Sequence, residues 1–367
     1  MKKIAIIGGG IVGATAAYLL SKQADYSVCL FDDEQGQATK AAAGIISPWL
    51  SKRRNQRWYT LAKDGAVFIS QLAKETHMQS DTYIQSGTII TRKSKESLDE
   101  LESLAQDRKK EAPLMGKIKR VTSDEIKQKI PLVTANLQGI YVSGGARIDG
   151  QKFVTHLLRL SEQNGVQVKH EKVALVDDQT IQFNGHLVHF DDIFLCAGHG
   201  INDLLAPLNY EVKVYPQKGQ LIELRVPAYP DDRVSPVLMP ESEKDFMPVG
   251  NGQLIIGATH ENGPGTDLTF TQEAFQELLA SAQRIDNHLS ENDLVANRVG
   301  TRSFSDDFSP FFGRLPGSKH ILVASGLGSS GLTTGPIVAK LVTSLLEHDD
   351  GFSNYQKPIT TYISKKG

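Results

Sequence analysis

The chain has 367 residues, 40 basic against 42 acidic side chains for a net charge of −2, and 40% hydrophobic residues. At this length about two to three domain equivalents, or one fold with two lobes, can bury about three quarters of the chain's surface without disulfide staples. The composition excludes disordered, collagenous and coiled-coil classes, and the near-neutral charge excludes a basic field for nucleic acid or an anionic membrane, so the expected partner is a small molecule.

Residues 2–7 form an apolar run, 8–13 a glycine turn, 11–22 a helix with alanines on its packing face, and 27–31 a second apolar run. Continuous β-branched runs joined by a helix read as a β-α-β unit with parallel, buried strands. The uncharged stretch 4–20 imitates a secretory signal, but Gly8, Gly9, Gly10 and Gly13 would break its apolar helix. Cys29 and Cys196 sit in apolar runs without metal-ligand or paired spacing, which predicts buried thiols in a reducing, cytoplasmic compartment. No stretch reaches the ~20 apolar residues of a membrane span.

Further along, 94–108 places Leu98, Leu101, Leu104 and Ala105 on one stripe among dense charges, a solvated amphipathic helix on a second lobe covering about 82–131. Asp149 can cap a helix to about 163, ended by Asn164-Gly165 before a strand at 166–168. Asn184-Gly185 between apolar runs signals a hairpin, and 193–196 is another buried run. Residues 208–259 read as several β segments, 271–285 as a helix, and 321–346 as strand, glycine turn (326–331) and helix. The expected architecture is α/β plus α+β. A Rossmann-type, parallel-sheet domain (1–80, 145–210, 296–367) is interleaved with a mostly antiparallel substrate domain (81–144, 211–295).

Gly8-x-Gly10-x-x-Gly13 lies between a strand and a helix. The first glycine permits a tight turn, the second lets backbone approach a pyrophosphate, the third lets helix pack on strand, and the helix start attracts phosphate charge. The expected dinucleotide-binding turn is therefore Gly8, Gly10, Ile11, Val12 and Gly13. Asp32 follows the second strand, where an acid accepts ribose hydroxyls, and Asp33 or Glu34 could share that role. The fingerprint alone leaves NAD and FAD open.

With Phe31-Asp32, Ala41–Ile46, Leu195–Gly198, Lys218-Gly219-Gln220, Gly300-Thr301-Arg302 and Gly326–Leu332, the chain resembles the D-amino-acid oxidase family of FAD-dependent oxidoreductases. Glycine oxidases, sarcosine-oxidase-like enzymes and D-amino-acid dehydrogenases are the members it is most similar to. The resemblance implies noncovalent FAD, with Ala42, Ala43, Gly44 and Ile45 beside the flavin, Ile46 on the substrate side, and Val173 at the adenine. It also assigns Ala197 and Gly198 to the cofactor. Gly326, Gly328, Ser329, Ser330, Gly331 and Leu332 would form a second turn whose N–H groups stabilise charge on the reduced ring. Arg302 would clamp a substrate carboxylate and so count as catalytic, with Arg298 as the rival.

The implied activity is oxidation of the C–N bond of a small amino acid (a D-amino acid, glycine or an N-alkyl glycine), with oxygen or another acceptor reoxidising the flavin. A 2-hydroxy-acid dehydrogenase and a flavin-binding module without turnover are the alternatives. No general base is expected, because a dry pocket can lower the amine's pKa. Glycine oxidases carry a tyrosine near Asp245–Pro248 and an arginine in the last glycine turn; this chain has Asp245-Phe246-Met247 and Ser329-Ser330, which favours a larger or differently substituted substrate. Trp49 is expected to roof the substrate site, the basic cluster Lys52-Arg53-Arg54 with Arg57 to reach a second carboxylate or simply solvent, and His199 and His260 to be structural. HExxH, Walker A and Gly-x-Ser-x-Gly patterns are missing, so metal, ATP and serine-hydrolase readings have no support; on the charge balance no nucleic-acid partner is expected either, and a homo-oligomer stays open.

Overall fold

A computed structural model of the chain describes every residue except 37, 52–54, 228, 230–233, 264, 349–350 and 367. The basic cluster at 52–54 therefore lies outside the described residues; its neighbour Arg57 donates from Nε to the Ser353 carbonyl at 3.0 Å.

The first strand, Lys2–Ile7, pairs in parallel with Tyr26–Phe31 on one side and Asp192–Leu195 on the other. Asp192–Leu195 pairs in parallel with Ile321–Ser325, Gln167–Lys169 extends one edge, and Phe311–Arg314 closes the other antiparallel. Alternate residues of these strands go to opposite faces. Ile4, Ile6 and Leu30 pack with Ala14, Ala17 and Val338, while Ala5, Ile7 and Phe31 pack with Leu175, Ile201 and Leu205. Coverage on both faces explains why the strands read as unbroken apolar runs.

Parallel register sends the carboxyl ends of four neighbouring strands to one edge. Ile7 stands level with Phe31 and with Leu195, and Leu195 with Val323. The turns that follow, at Gly8, Asp32, Cys196–Gly198 and Gly326, therefore share that edge. At ~4.8 Å between strands, glycine turns two strands apart are about 10 Å from each other. This is the crevice where doubly wound sheets hold ligands.

The second sheet has eight strands in the order Leu294–Phe304, Tyr215–Arg225, Gln253–Gly257, Asp245–Gly250, Val237–Met239, Thr88–Thr91, Gly139–Val142, Ile118–Val121. All its pairs are antiparallel except Val237–Met239 with Thr88–Thr91. Ile222, Phe246, Leu254 and Ile256 pack against Phe275, Leu278 and Leu279 of the helix Gln272–Gln283. The opposite face carries Leu221, Met247 and Ile255 and meets Ala43, Ile45 and Ala258. That face looks toward the crevice.

Local expectations hold where a cap or turn residue marks them. Asp149 accepts from Lys152 N at 2.9 Å and starts the helix Gly150–Gln163. Thr271 caps Gln272–Gln283. Asn184 and Gly185 take φ of +48° and +76°, the mirror-image turn that a tight hairpin requires. The helix Gln56–Glu75, of 20 residues, is a finding of the structure: Asn55 accepts from Trp58 N, and Trp58, Leu61, Ala62, Gly65, Ile69 and Leu72 recur at helical spacing on its buried face.

Candidate active site

The crevice opens into a cavity of about 630 Å³ lined from both ends of the chain. Gly8, Gly10, Ile11, Val12, Asp32, Asp33, Ala42, Ala43, Gly44, Ile45, Val173, Ala197 and Gly198 are on its wall, as are Gly328, Ser329, Gly331, Leu332 and Arg302. The volume lies within the ~300–1,000 Å³ typical of small-molecule sites.

Gly8 has φ of +107°, and a Cβ at Gly13 would lie 1.8 Å from the Gly8 carbonyl oxygen. Gly13 therefore touches the turn itself rather than the cavity. The helix Ile11–Ser21 opens on Gly10 with no side-chain cap, although Thr39 Oγ1 accepts from Ile11 N at 3.0 Å. The last helix, Gly331–Ser344, likewise starts without a side-chain cap. Two helix starts on one cavity wall, neither capped by its own N-cap residue, present positive dipole ends and, Ile11 N–H apart, first-turn donors that are free among the described residues, which fit an anionic diphosphate and a ring oxygen that gains negative charge.

Asp32 is largely buried, and desolvation raises its carboxyl above the usual range despite N–H donation from Glu34 and Gly9. Asp33 accepts from Gln35 N at 3.1 Å. Ser330 is buried behind the second turn: its Oγ accepts from Trp58 Nε1 at 3.0 Å and donates to the Leu327 carbonyl at 3.0 Å. Cys29 and Cys196 are both buried, and desolvation pushes the Cys29 thiol up to about 11.

Arg302 is a cation on the wall that the second sheet contributes, and Lys172 lines the same cavity. Its Nη1 donates to the Thr259 carbonyl at 2.8 Å and reaches Gln217 Oε1 at 3.5 Å. Burial lowers its pKa to about 10, with Glu261 opposing the shift, so it remains charged near neutrality. Among the described residues no carboxylate forms an ion pair with it. Arg298 differs: it donates to Glu223 and lies 4.0 Å from Asp149. Pairing, rather than the local motif, separates the two arginines.

Five expected residues lie off the cavity wall. Gly13, Gly326 and Ser330 support the turns from behind. Ile46 is 1% exposed in the core, and Trp49, expected as a roof, is 0% exposed in that core with its carbonyl taken by Arg108. A large indole beside the short strand Ile45–Ile46 fills the space between helices more readily than it spans an opening. Conversely, Thr39, His199, His260, Gly219 and Asp245 line the cavity without having been expected there. Two of these carried a signal: Gly219, within the motif Lys218-Gly219-Gln220, and Asp245, as the acid standing where glycine oxidases have a tyrosine.

The family described as FAD dependent oxidoreductase (DAO) matches residues 3–345. The chain belongs to this family. It is 36% identical to the uncharacterized oxidoreductase YurR of Bacillus subtilis, covering 94% of this chain and 95% of that one. It is 26% identical to a glycine oxidase of Pseudomonas putida, covering 94% of each. Among solved structures, the iminodiacetate oxidase IdaA of Chelativorans sp. BNC1 superposes with a TM-score of 0.90 at 29% identity over 98% of both chains. The protein is thus an FAD-dependent oxidoreductase, and no helix among the described residues is long and apolar enough to cross a membrane.

Proposed function

We propose that the protein oxidises the C–N bond of a small amino acid by hydride transfer to flavin N5, giving an imine that water hydrolyses to a 2-oxo acid. The observation that carries this reading is Arg302: a half-buried guanidinium, without an acidic partner among the described residues, facing the cavity that both glycine turns line. A carboxylate is the ligand that such a forked cation accepts in two parallel hydrogen bonds. Bound FAD supplies the two-electron acceptor. Arg302 fixes the substrate so that its α-hydrogen stands within the ~3–3.5 Å of a near-attack geometry. Gly328–Leu332 set N–H donors where negative charge develops. The short apolar segment Ala42–Ile45 excludes water from that side.

The similarity to IdaA and to glycine oxidase supports N-substituted glycines as the substrate class, with iminodiacetate and N-methylglycine the first to assay. The test is an anaerobic panel of D-, L- and N-alkyl amino acids, with flavin bleaching as the readout and ammonia, amine or 2-oxo acid as product. Bleaching by an amino acid with 2-oxo-acid release supports the reading; bleaching by 2-hydroxy acids alone, or by nothing in the panel, overturns it. Arg302→Ala is expected to slow reduction at low substrate about 100-fold or more, the loss of a buried charged pair.

A further inference from the structure

Resting on the function just proposed, we infer that Asp245 recognises the protonated amine of the substrate and takes its proton before the C–N bond is oxidised.

The placement comes from strand periodicity. Phe246 is fully buried against the helix Gln272–Gln283, so its neighbours Asp245 and Met247 project to the other face, the one that meets Ala43 and Ile45. Asp245 pairs with Gly257, and Gly257 with Leu221, two residues along from Gly219. Arg302, opposite Gln217, lies over Gly219 on this same face and bonds the Thr259 carbonyl, two residues beyond Gly257. The acid and the guanidinium thus stand on one cavity wall with glycines between them.

Nothing among the described residues donates a hydrogen bond to the Asp245 carboxylate. Lys244, next in sequence, is turned away to the Ala258 carbonyl and to Glu277. Enclosing a carboxylate without donors is costly, so the site is completed by a ligand that brings its own cation. Desolvation raises the Asp245 carboxyl to about 7, Lys244 opposing it, which suits a group that exchanges a proton near neutrality. Arg302, His199 and His260 also line this cavity, with Glu261 beside Arg302, and the same wall carries Asp32, Asp33, Glu171, Lys172, Cys196 and Asp203 along the elements that follow the parallel strands.

In the step, an N–H bond of the ammonium breaks and an O–H bond forms on Asp245. The cation and the carboxylate become a neutral amine and a neutral acid, and the freed nitrogen lone pair is what allows hydride to leave the α-carbon. Arg302 alone accepts any carboxylate. Arg302 and Asp245 together select a carboxylate next to a protonatable amine, primary or secondary, over a 2-hydroxy acid or a quaternary ammonium.

The test uses anaerobic holoenzyme and follows perturbation of the flavin spectrum by acetate and by N-methylglycine, with Asp245→Asn alongside wild type. Acetate should bind wild type more weakly as pH rises through about 7, because ionised Asp245 repels it, and Asp245→Asn should remove that dependence. Asp245→Asn should also weaken N-methylglycine about tenfold or more at pH 8, the loss of a charged hydrogen bond. Acetate affinity that is flat with pH in wild type, or a pH dependence that survives in Asp245→Asn and so belongs to His199 or His260, overturns the inference. If Asp245→Asn fails to fold, Asp245→Ser takes its place in both arms, and a flat wild-type profile overturns the inference without any variant. A flavin that no amino acid bleaches defeats the function itself, whereas one bleached equally fast with Asp245→Asn defeats only the role of Asp245.

Discussion

The guanidinium of Arg302 occupies the space that a side chain at Gly219 would take: a Cβ there would lie 2.6 Å from Cζ and from both terminal nitrogens. What would have to move is the far end of a flexible side chain and not the backbone. Gly219→Ala should therefore fold and bind FAD, yet displace the cation by about the width of a methyl group. Misplacement on that scale costs on the order of 100-fold in an oriented reaction. The expectation is a large loss of kcat/KM with wild-type flavin absorbance, read by steady-state assay beside a visible spectrum. Unchanged kinetics would mean that Arg302 does not set the substrate's position.

Arg298 supplies the contrast. Its guanidinium bonds Glu223, with both side chains about one fifth exposed, and it bridges toward Asp149. Arg298→Gln should lower stability by about 1 kcal/mol, since half-buried pairs of this kind contribute modestly. That corresponds to a melting shift of about 1 °C for a chain of this size, while KM stays at its wild-type value. A rise in KM comparable to that of Arg302→Ala would exchange the roles of the two.

Gly13 tests the cofactor turn. Its Cβ would collide with backbone, the Gly8 carbonyl at 1.8 Å, and lie 2.9 Å from the Cys196 sulfur. Gly13→Ala cannot be relieved by a side-chain rotation, so the strand–turn–helix junction must open and the N–H groups of Ile11 and Val12 must shift. The purified variant should carry little or no flavin and regain it only at high added FAD. Full occupancy would show that the turn tolerates repositioning.

How much of this was legible follows from what each residue does locally. Gly8–Gly13, Asp32 and the second turn at Gly326–Gly331 are set by backbone geometry at the ends of short apolar strands, and such constraints leave a local mark in sequence. Arg302 could be nominated from its motif and preferred to Arg298 by its spacing to Pro310-Phe311-Phe312-Gly313, but the physical difference between the two lies in the partners Glu223 and Thr259, which come from distant segments. Trp49 misled because its size suits a roof and a core equally, and only the packing of the helix Gln56–Glu75 over it decides. Asp245 was visible as a departure, yet its meaning depends on the face to which its strand turns. That face is fixed by the register with Gln253–Gly257, a long-range fact absent from any window of sequence.

The same burial that equips Asp245 for proton exchange should weaken the fold at alkaline pH. Its carboxyl moves from 3.8 in the unfolded chain to about 7 in the native cavity, so the native state holds the proton more tightly. The sign follows from linkage: the contribution is fully present below pH 3.8 and is lost as pH rises through about 7. At about 1.4 kcal/mol per pH unit, ionising this group in the empty cavity costs on the order of 4 kcal/mol. Asp245→Asn keeps the shape and removes the charge. Between about pH 5 and pH 8, wild type should therefore lose several degrees more in melting temperature than the variant. An amino-acid ligand that places its ammonium against the carboxylate should abolish the difference, because it lowers the pKa back toward the unfolded value. Parallel melting profiles for the two proteins across this range would show that Asp245 is already ionised and solvated in the native site.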